Sequence, residues 1–355
     1  MPDLFRPYTL KGVTLRNRIA MSPMTMYRSR DGLMNDFHLM LLGSRAAGGF
    51  GLVFAEQLAI VANGRTSVGC GGIYEDAQIP GLARLCALIK DMGAVPAAQL
   101  GHTGRKGSEL KPWEGGAQLP ADHPDGWQVV GPSALPYGGK YQYSVQALTR
   151  EEIQAIHRSY ARAAQRALDA GFEWLELHAA HGYLLHSFYS PLSNQRTDEY
   201  GGSFENRIRF LLETVRTVRQ VWPERLPLTV RISGTDWVDG GWSVDDSVQL
   251  ARRLKAEGVD LIDCSSAGVS AQAKVPAGPG YQVPISEAVR HGADIHTAAV
   301  GLITAPEQAD EIIRNGRADL VLLGREMLRD PYWALHAAQK LRQPVPVPLK
   351  YLRAF

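Results

Sequence analysis

Cysteine is scarce: the three in 355 residues, Cys70, Cys86 and Cys264, stand far apart and form no CxxC pair, zinc-ligand spacing or disulfide framework. That points to a reducing compartment, and a cytoplasmic location is expected. No uninterrupted apolar run approaches membrane-spanning length, and the start, Met1 to Arg6, lacks the basic-then-apolar layout of a secretory signal. An excess of either charge is missing too. The net +2 is too small for a nucleic-acid surface, so the expected partners are small molecules, with neither nucleic acid nor membrane among them. No GxGxxG follows any apolar run, which removes the dinucleotide fingerprint of an open, doubly wound sheet. No low-complexity tract or shift in composition divides the chain.

What is present is a repeating alternation. Eight short apolar runs end in small or polar residues and precede stretches of helical periodicity: 18–22, 52–56, 95–100, 174–178, 228–233, 259–265, 296–301 and 319–324. Helices are expected over 152–170, 204–221, 243–257 and 305–315, with Gly171, Gly258 and Gly316 where helix ends favour glycine. Alternating βα units without the glycine fingerprint predict an α/β protein with a single (β/α)8 TIM barrel over residues 1–355. Tyr8 to Leu15 reads as a hairpin turning at Lys11-Gly12 and plugging the barrel's N-terminal end. The stretch 101–146, rich in Gly, Pro and Trp, is too long for a βα connection and is expected to overhang the mouth, while 344–355 reads as an extended tail.

Function in this fold sits at the C-terminal strand ends. The richest is the fourth, LELHAAHGY. His178 and His181 lie three residues apart where strand becomes loop, as core histidines, as a metal pair completed by a ligand such as His186, or as two N–H donors converging on one oxygen. Tyr183 is either a packing residue or a proton donor. Arg231, closing the fifth run, either pairs with Glu56 or Glu176 or faces an anionic ligand. Gln99 ends the third run with an amide suited to a heterocycle edge. Gly301 and Gly324-Arg325 end the last two, where such barrels bind phosphate through backbone N–H groups and a short helix, although a plain turn is the alternative. The first run ends in Ser22-Pro23-Met24-Thr25-Met26-Tyr27, a loop able to lie along a flat ring.

These residues resemble the old yellow enzymes, specifically their bacterial, thermophilic-like class. The likeness spans nearly the whole chain and is carried by LFRPYTLKGVTLRNRIAMSPM, GHTGRKG, LHAAHGYLLHSFYSPLSNQRTDEYGGSFENRIRF and RADLVLLGREMLRDPYW. The resemblance implies noncovalent FMN across the mouth, reduced by NADPH or NADH, and an NADPH dehydrogenase or ene-reductase activity. Ser22, Pro23, Met24 and Thr25 would contact the isoalloxazine, Gln57 would lie near it, Gln99 would meet its pyrimidine edge and Arg231 its N1–C2 region. Gly301, Gly324 and Arg325 would hold the phosphate. His178 and His181 would bind the oxygen of an activating group, with Tyr27 lining the substrate side. Flavin N5 would deliver hydride to the β-carbon of an activated alkene, and Tyr183 a proton to the α-carbon. The tail Tyr351-Leu-Arg353-Ala-Phe355 resembles one that projects an arginine into a neighbour's site, implying a homodimer or homotetramer with Arg353 in the substrate pocket of the adjacent subunit. Within RTDEYGGSFENR, Ser203 is expected as a helix N-cap and no catalytic role is assigned.

Two positions depart from the class. Thr25 stands where cysteine is common; it keeps a hydroxyl able to meet flavin O4 but has no thiolate. A shifted flavin potential is expected, and measuring it in Thr25→Cys checks this, an unchanged value counting against it. Gln57 stands where a small residue is usual near the ring. Two rivals carry other signatures. A flavin-free phosphate-binding aldolase or isomerase needs a strand-end lysine or a carboxylate pair, and lysine is missing from the strand ends. A barrel binding ligand without turnover predicts no dependence on Tyr183.

Overall fold

A computed structural model describes residues 3–344 and 347–354. A two-residue turn joins β1 (Tyr8–Leu10) to β2 (Val13–Leu15). Lys11 takes the positive φ of that turn; Gly12 is there for close approach, its N–H donating to the Arg225 carbonyl while a Cβ would sit 3.0 Å from the same oxygen. Arg225 precedes a barrel strand, and Tyr8 rests on His296 at the start of another, so the hairpin caps the N-terminal end as expected.

The barrel strands are β3 (Ile19–Met21), β4 (Leu52–Ala59), β5 (Val95–Gly101), β8 (Trp174–Ala179), β9 (Leu228–Ser233), β10 (Leu261–Ser265), β11 (His296–Ala299) and β12 (Leu320–Leu323). All pair in parallel, and the ring closes in the order β10-β11-β12-β3-β4-β5-β8-β9. Each of the eight expected runs supplies one strand. β4 runs past Glu56 because a bulge between Phe54 and Gln57 re-registers it on β5. β11 stops at Ala299, since Gly301 at φ +127 leaves the extended region.

The helices are α1 (Asp36–Ala47), α2 (Ile79–Asp91), α3 (Arg150–Asp169), α4 (Leu184–Tyr189), α5 (Phe204–Arg219), α6 (Val244–Ala256), α7 (Val283–Ala293), α8 (Pro306–Arg314), α9 (Arg325–Arg329) and α10 (Trp333–Lys340). Their starts are chemical: Thr149 and Ser243 close capping boxes with Glu152 and Asp246, and Ser203 caps α5 as expected. Gly171, Gly258 and Gly316 follow α3, α6 and α8 with φ of 89°, 86° and 67°, a conformation that costs glycine little. The excursion after β5 carries two short strands, β6 (Val130–Gly131) and β7 (Gln146–Ala147), paired in parallel. Among the described residues no helix is long and apolar enough to cross a membrane. Residues 1, 2, 345, 346 and 355, which belong to the expected domain span and tail, lie outside the described residues.

Candidate active site

β8 sets the centre. Its residues are buried throughout, and His178, next to last, is directly opposite Arg231 of β9. The Ala180 N–H donates to His178 Nδ1 (3.1 Å), so the neutral ring must carry its proton on Nε2. His181 adopts φ 56, and the following Gly182 has no room for a side chain: a Cβ would lie 2.0 Å from the Gly268 carbonyl. Lys106 clamps this crossing, donating to the carbonyls of His181 (2.8 Å) and Gly268 (3.0 Å). Three rings converge as a result. His178 and His181 stand perpendicular with centroids 5.1 Å apart, and Tyr183 tilts over His178 at 4.7 Å.

Burial, reinforced by the Arg231 charge, holds both imidazoles well below their ordinary pKa, so at neutral pH each is uncharged and offers one N–H. Burial also pushes Tyr183 up to about 12, keeping its proton in place, while Thr66 Oγ1 lies 3.5 Å from its hydroxyl. His181 Nε2 lies 2.7 Å from Ser265 Oγ. His186 is not available to complete a metal triad: its Nδ1 accepts from the Gly182 N–H and its Nε2 meets Asp236 at 3.0 Å. Among the described residues no group of three His, Cys, Asp or Glu side chains is arranged to hold a metal.

Arg231 pairs with neither Glu56 nor Glu176. Its Nε lies 3.2 Å from Asp263 Oδ2 on the neighbouring β10, close enough for an ion pair but without hydrogen-bond alignment, and its Nη1 donates to Ser22 Oγ (2.9 Å). Sequence reasoning missed Asp263 because it sits in the middle of an apolar strand whose pairing with β9 is a product of barrel order. Glu56 instead meets His38 Nε2 (3.1 Å) and accepts from the Met26 N–H (3.2 Å), fixing the loop that begins at Ser22. Beyond Ser22 that loop is only partly buried through Pro23, Met24, Thr25 and Met26. It ends at Tyr27, whose φ of 57 is left-handed and whose ring meets the exposed Trp113 edge-on at 5.8 Å. Gln57 is buried against Gly101, where a Cβ would lie 2.6 Å from its Cδ. Gln99 Nε2 donates to Glu176 Oε1 (2.8 Å).

Beside this centre a cavity of about 270 Å³ gathers Arg231, Gly301, Gly324 and Arg325 from the predicted set. Ser265 and Gln282 line it as well. Ser265 ends β10, and the strand-end logic applied to the other runs would have found it; Gln282 lies in a loop with no such signal. A Cβ on Gly324 would meet nothing nearer than Met24 Sδ at 3.9 Å, so the backbone there borders open space. An anion at this end would meet main chain stripped of side chains, beside the exposed Arg325 guanidinium. The cation of Arg231, on β9, lines the same cavity, and the buried amide of Gln99 lies on β5, three strands round the ring from β12. That set of donors suits a phosphorylated heterocycle such as FMN. Lys106, the lysine the strand ends lacked, is partly buried, and the loss of solvent lowers it to about 8; it is committed to two carbonyls. Arg353 is exposed in a tail that touches the barrel through Tyr351 and Tyr332, ring centroids 5.9 Å apart.

The model of the NADH:flavin oxidoreductase / NADH oxidase family matches residues 3–343. An NADPH dehydrogenase from Listeria innocua is 45% identical over 357 residues, covering 100% of both chains. Morphinone reductase, solved in complex with tetrahydroNAD, superposes with a TM-score of 0.81 at 29% identity, covering 98% of this chain and 93% of its own. The old yellow enzyme homologue from Zymomonas mobilis does so with a TM-score of 0.79 at 26% identity, covering 97% and 94%. The chain therefore belongs to the NADH:flavin oxidoreductase / NADH oxidase family, and is an FMN-dependent NAD(P)H oxidoreductase of old yellow enzyme type.

Proposed function

We propose that this single-domain barrel is an ene-reductase, acting on C=C bonds activated by a carbonyl, nitro or similar group. The observation that carries this is the convergence of two neutral imidazoles and one protonated phenol at the end of β8. When bound, FMN supplies the redox chemistry, taking two electrons from NAD(P)H and passing them to the substrate. His178 offers its Nε2–H to the oxygen of the activating group, and His181 adds a second N–H once Ser265 donates to its Nε2. Donation to a developing enolate or nitronate oxygen strengthens as charge accumulates there. Tyr183 holds a proton against its buried surroundings until a carbanion more basic than itself forms beside it.

The same reading assigns the remaining residues. Ser22, Pro23, Met24 and Thr25 lie along the ring with Gln57 near it, Gln99 and Arg231 hold the pyrimidine edge, and Gly301, Gly324 and Arg325 receive the phosphate. Tyr27 borders the substrate, and Arg353 of a homodimer or homotetramer reaches the adjacent subunit's site. A cytoplasmic location completes the proposal.

Purified protein is expected to be yellow, to bleach anaerobically with NADPH or NADH and to recover its colour on adding an enone, nitroalkene, quinone or maleimide. Colour that returns with oxygen but with none of these sinks the ene-reductase reading. The phosphate assignment has its own test. Gly324→Ala points its Cβ into open space, but the backbone there, φ −99 and ψ −105, lies outside the regions L residues favour, so thermal stability without flavin is expected to fall by about 1–3 kcal/mol, while FMN binding, measured where both proteins are folded, weakens at least about tenfold. Unchanged FMN affinity would move the phosphate elsewhere.

A further inference from the structure

Inside the barrel, below the strand ends, two carboxyl groups stand near one cation. Glu176 on β8 and Asp263 on β10 are 1% and 0% exposed, and Arg231 on β9 lies between those strands. The Arg231 charge is matched by Asp263 at 3.2 Å. A second ionised carboxylate would leave an uncompensated charge in a space without solvent, at a cost of several kcal/mol.

The hydrogen bonds around Glu176 suit the acid form atom by atom. Its Oε1 accepts from Gln99 Nε2 (2.8 Å), and its Oε2 lies 3.3 Å from Thr229 Oγ1. That hydroxyl has one proton and a competing acceptor, the Leu175 carbonyl, also at 3.3 Å, while Trp174 Nε1 donates to it at 3.2 Å. With a proton on Glu176 Oε2, the acid donates to Thr229, Thr229 donates to Leu175, and every buried donor and acceptor in the set is used.

We infer that Glu176 is held as a neutral carboxylic acid, and that its proton keeps the barrel interior under the flavin's pyrimidine edge at zero net charge, so that the flavin's readiness to accept electrons depends on that proton. The second half rests on the placement of the ring over Gln99 and Arg231 proposed above. The charges acting on Glu176 are Asp263 from β10 and Arg231 from β9, with Gln99 from β5 and Thr229 from β9 as its neutral contacts. Burial and the nearby Asp263 raise its pKa to about 8, so the proton leaves at mildly alkaline pH.

Glu176→Gln copies the neutral acid, accepting from Gln99 and donating to Thr229. Its flavin midpoint potential is expected to equal the parent's at pH 7 and to lie above it beyond about pH 8, where the parent's curve bends as Glu176 ionises and the variant's does not. Lys106, also lowered to about 8, is present in both proteins, so a bend it causes appears in both. A variant potential displaced upward by the same amount at every pH means Glu176 is always ionised and overturns the inference. Stability of the full chain without flavin gives a second readout. A carboxyl whose folded pKa lies above its unfolded value of 4.5 weakens folding as pH rises between the two, so the variant's stability relative to the parent is expected to grow from pH 4.5 to about 8. The opposite trend overturns the inference. If the stability result holds and the potentials coincide at every pH, the proton is where we place it, and it is the position of the flavin that fails.

Discussion

Tyr183→Phe is expected to slow reoxidation of the reduced protein by an activated alkene by about 10²- to 10⁴-fold, the usual worth of a positioned general acid, while the rate at which NADPH bleaches it changes by less than about twofold. Separate anaerobic stopped-flow measurements of the two half-reactions check this. The asymmetry follows from where the proton is needed: NADPH oxidation takes none from Tyr183, whereas saturating the alkene leaves a carbanion that must receive one. The substitution removes only a hydroxyl that lies 3.5 Å from Thr66 Oγ1, and the ring keeps its place against His178. A fold defect would depress both rates together. Equal slowing of both half-reactions would therefore remove Tyr183 as the acid.

Arg231→Met is expected to cost about 3–5 kcal/mol of stability and, in addition, to weaken FMN binding. The stability loss has a specific source. Asp263 is fully buried, its oxygens make no aligned hydrogen bond, and Arg231 is the cation beside it. Removing the cation leaves a buried carboxylate that must either stay charged without a partner or take up a proton. The double variant Arg231→Met/Asp263→Asn removes both charges and is expected to regain most of the stability, while its FMN affinity stays low because the guanidinium is still missing. Chemical denaturation of the flavin-free proteins, with flavin fluorescence for the binding constant, separates the two effects. If the double variant binds FMN like the parent, Arg231 is a structural partner of Asp263 and nothing more.

The sequence was legible wherever a signal is local. Strand runs and helix faces are periodicities within a dozen residues, and the glycines after α3, α6 and α8 answer a local demand for positive φ. His178, His181 and Tyr183 share one strand end, so their meeting could be foreseen from spacing. For Arg231 the sequence leaves open a pairing with Glu56 or Glu176 and an anionic ligand, and it gives no sign of Asp263, which becomes a neighbour only when β9 pairs with β10. Lys106 was passed over for a related reason: it lies beyond the end of β5, and its two carbonyl partners come from the loops after β8 and β10.

From its sequence alone, then, this chain declares an eight-stranded parallel barrel, an FMN and NAD(P)H chemistry through its family motifs, and the residue types gathered at the mouth. Charge and protonation were decided by the tertiary structure. Which nitrogen of His178 bears the proton depends on the Ala180 N–H being aimed at the other one, and the neutrality of both imidazoles depends on burial beside Arg231. Whether Arg231 is free or paired depends on barrel closure, which brings it to Asp263 and to Ser22, 209 residues away. A side chain's type is written in the sequence, but its ionisation follows from the solvent it loses and the charges it gains, and both are set by residues remote along the chain.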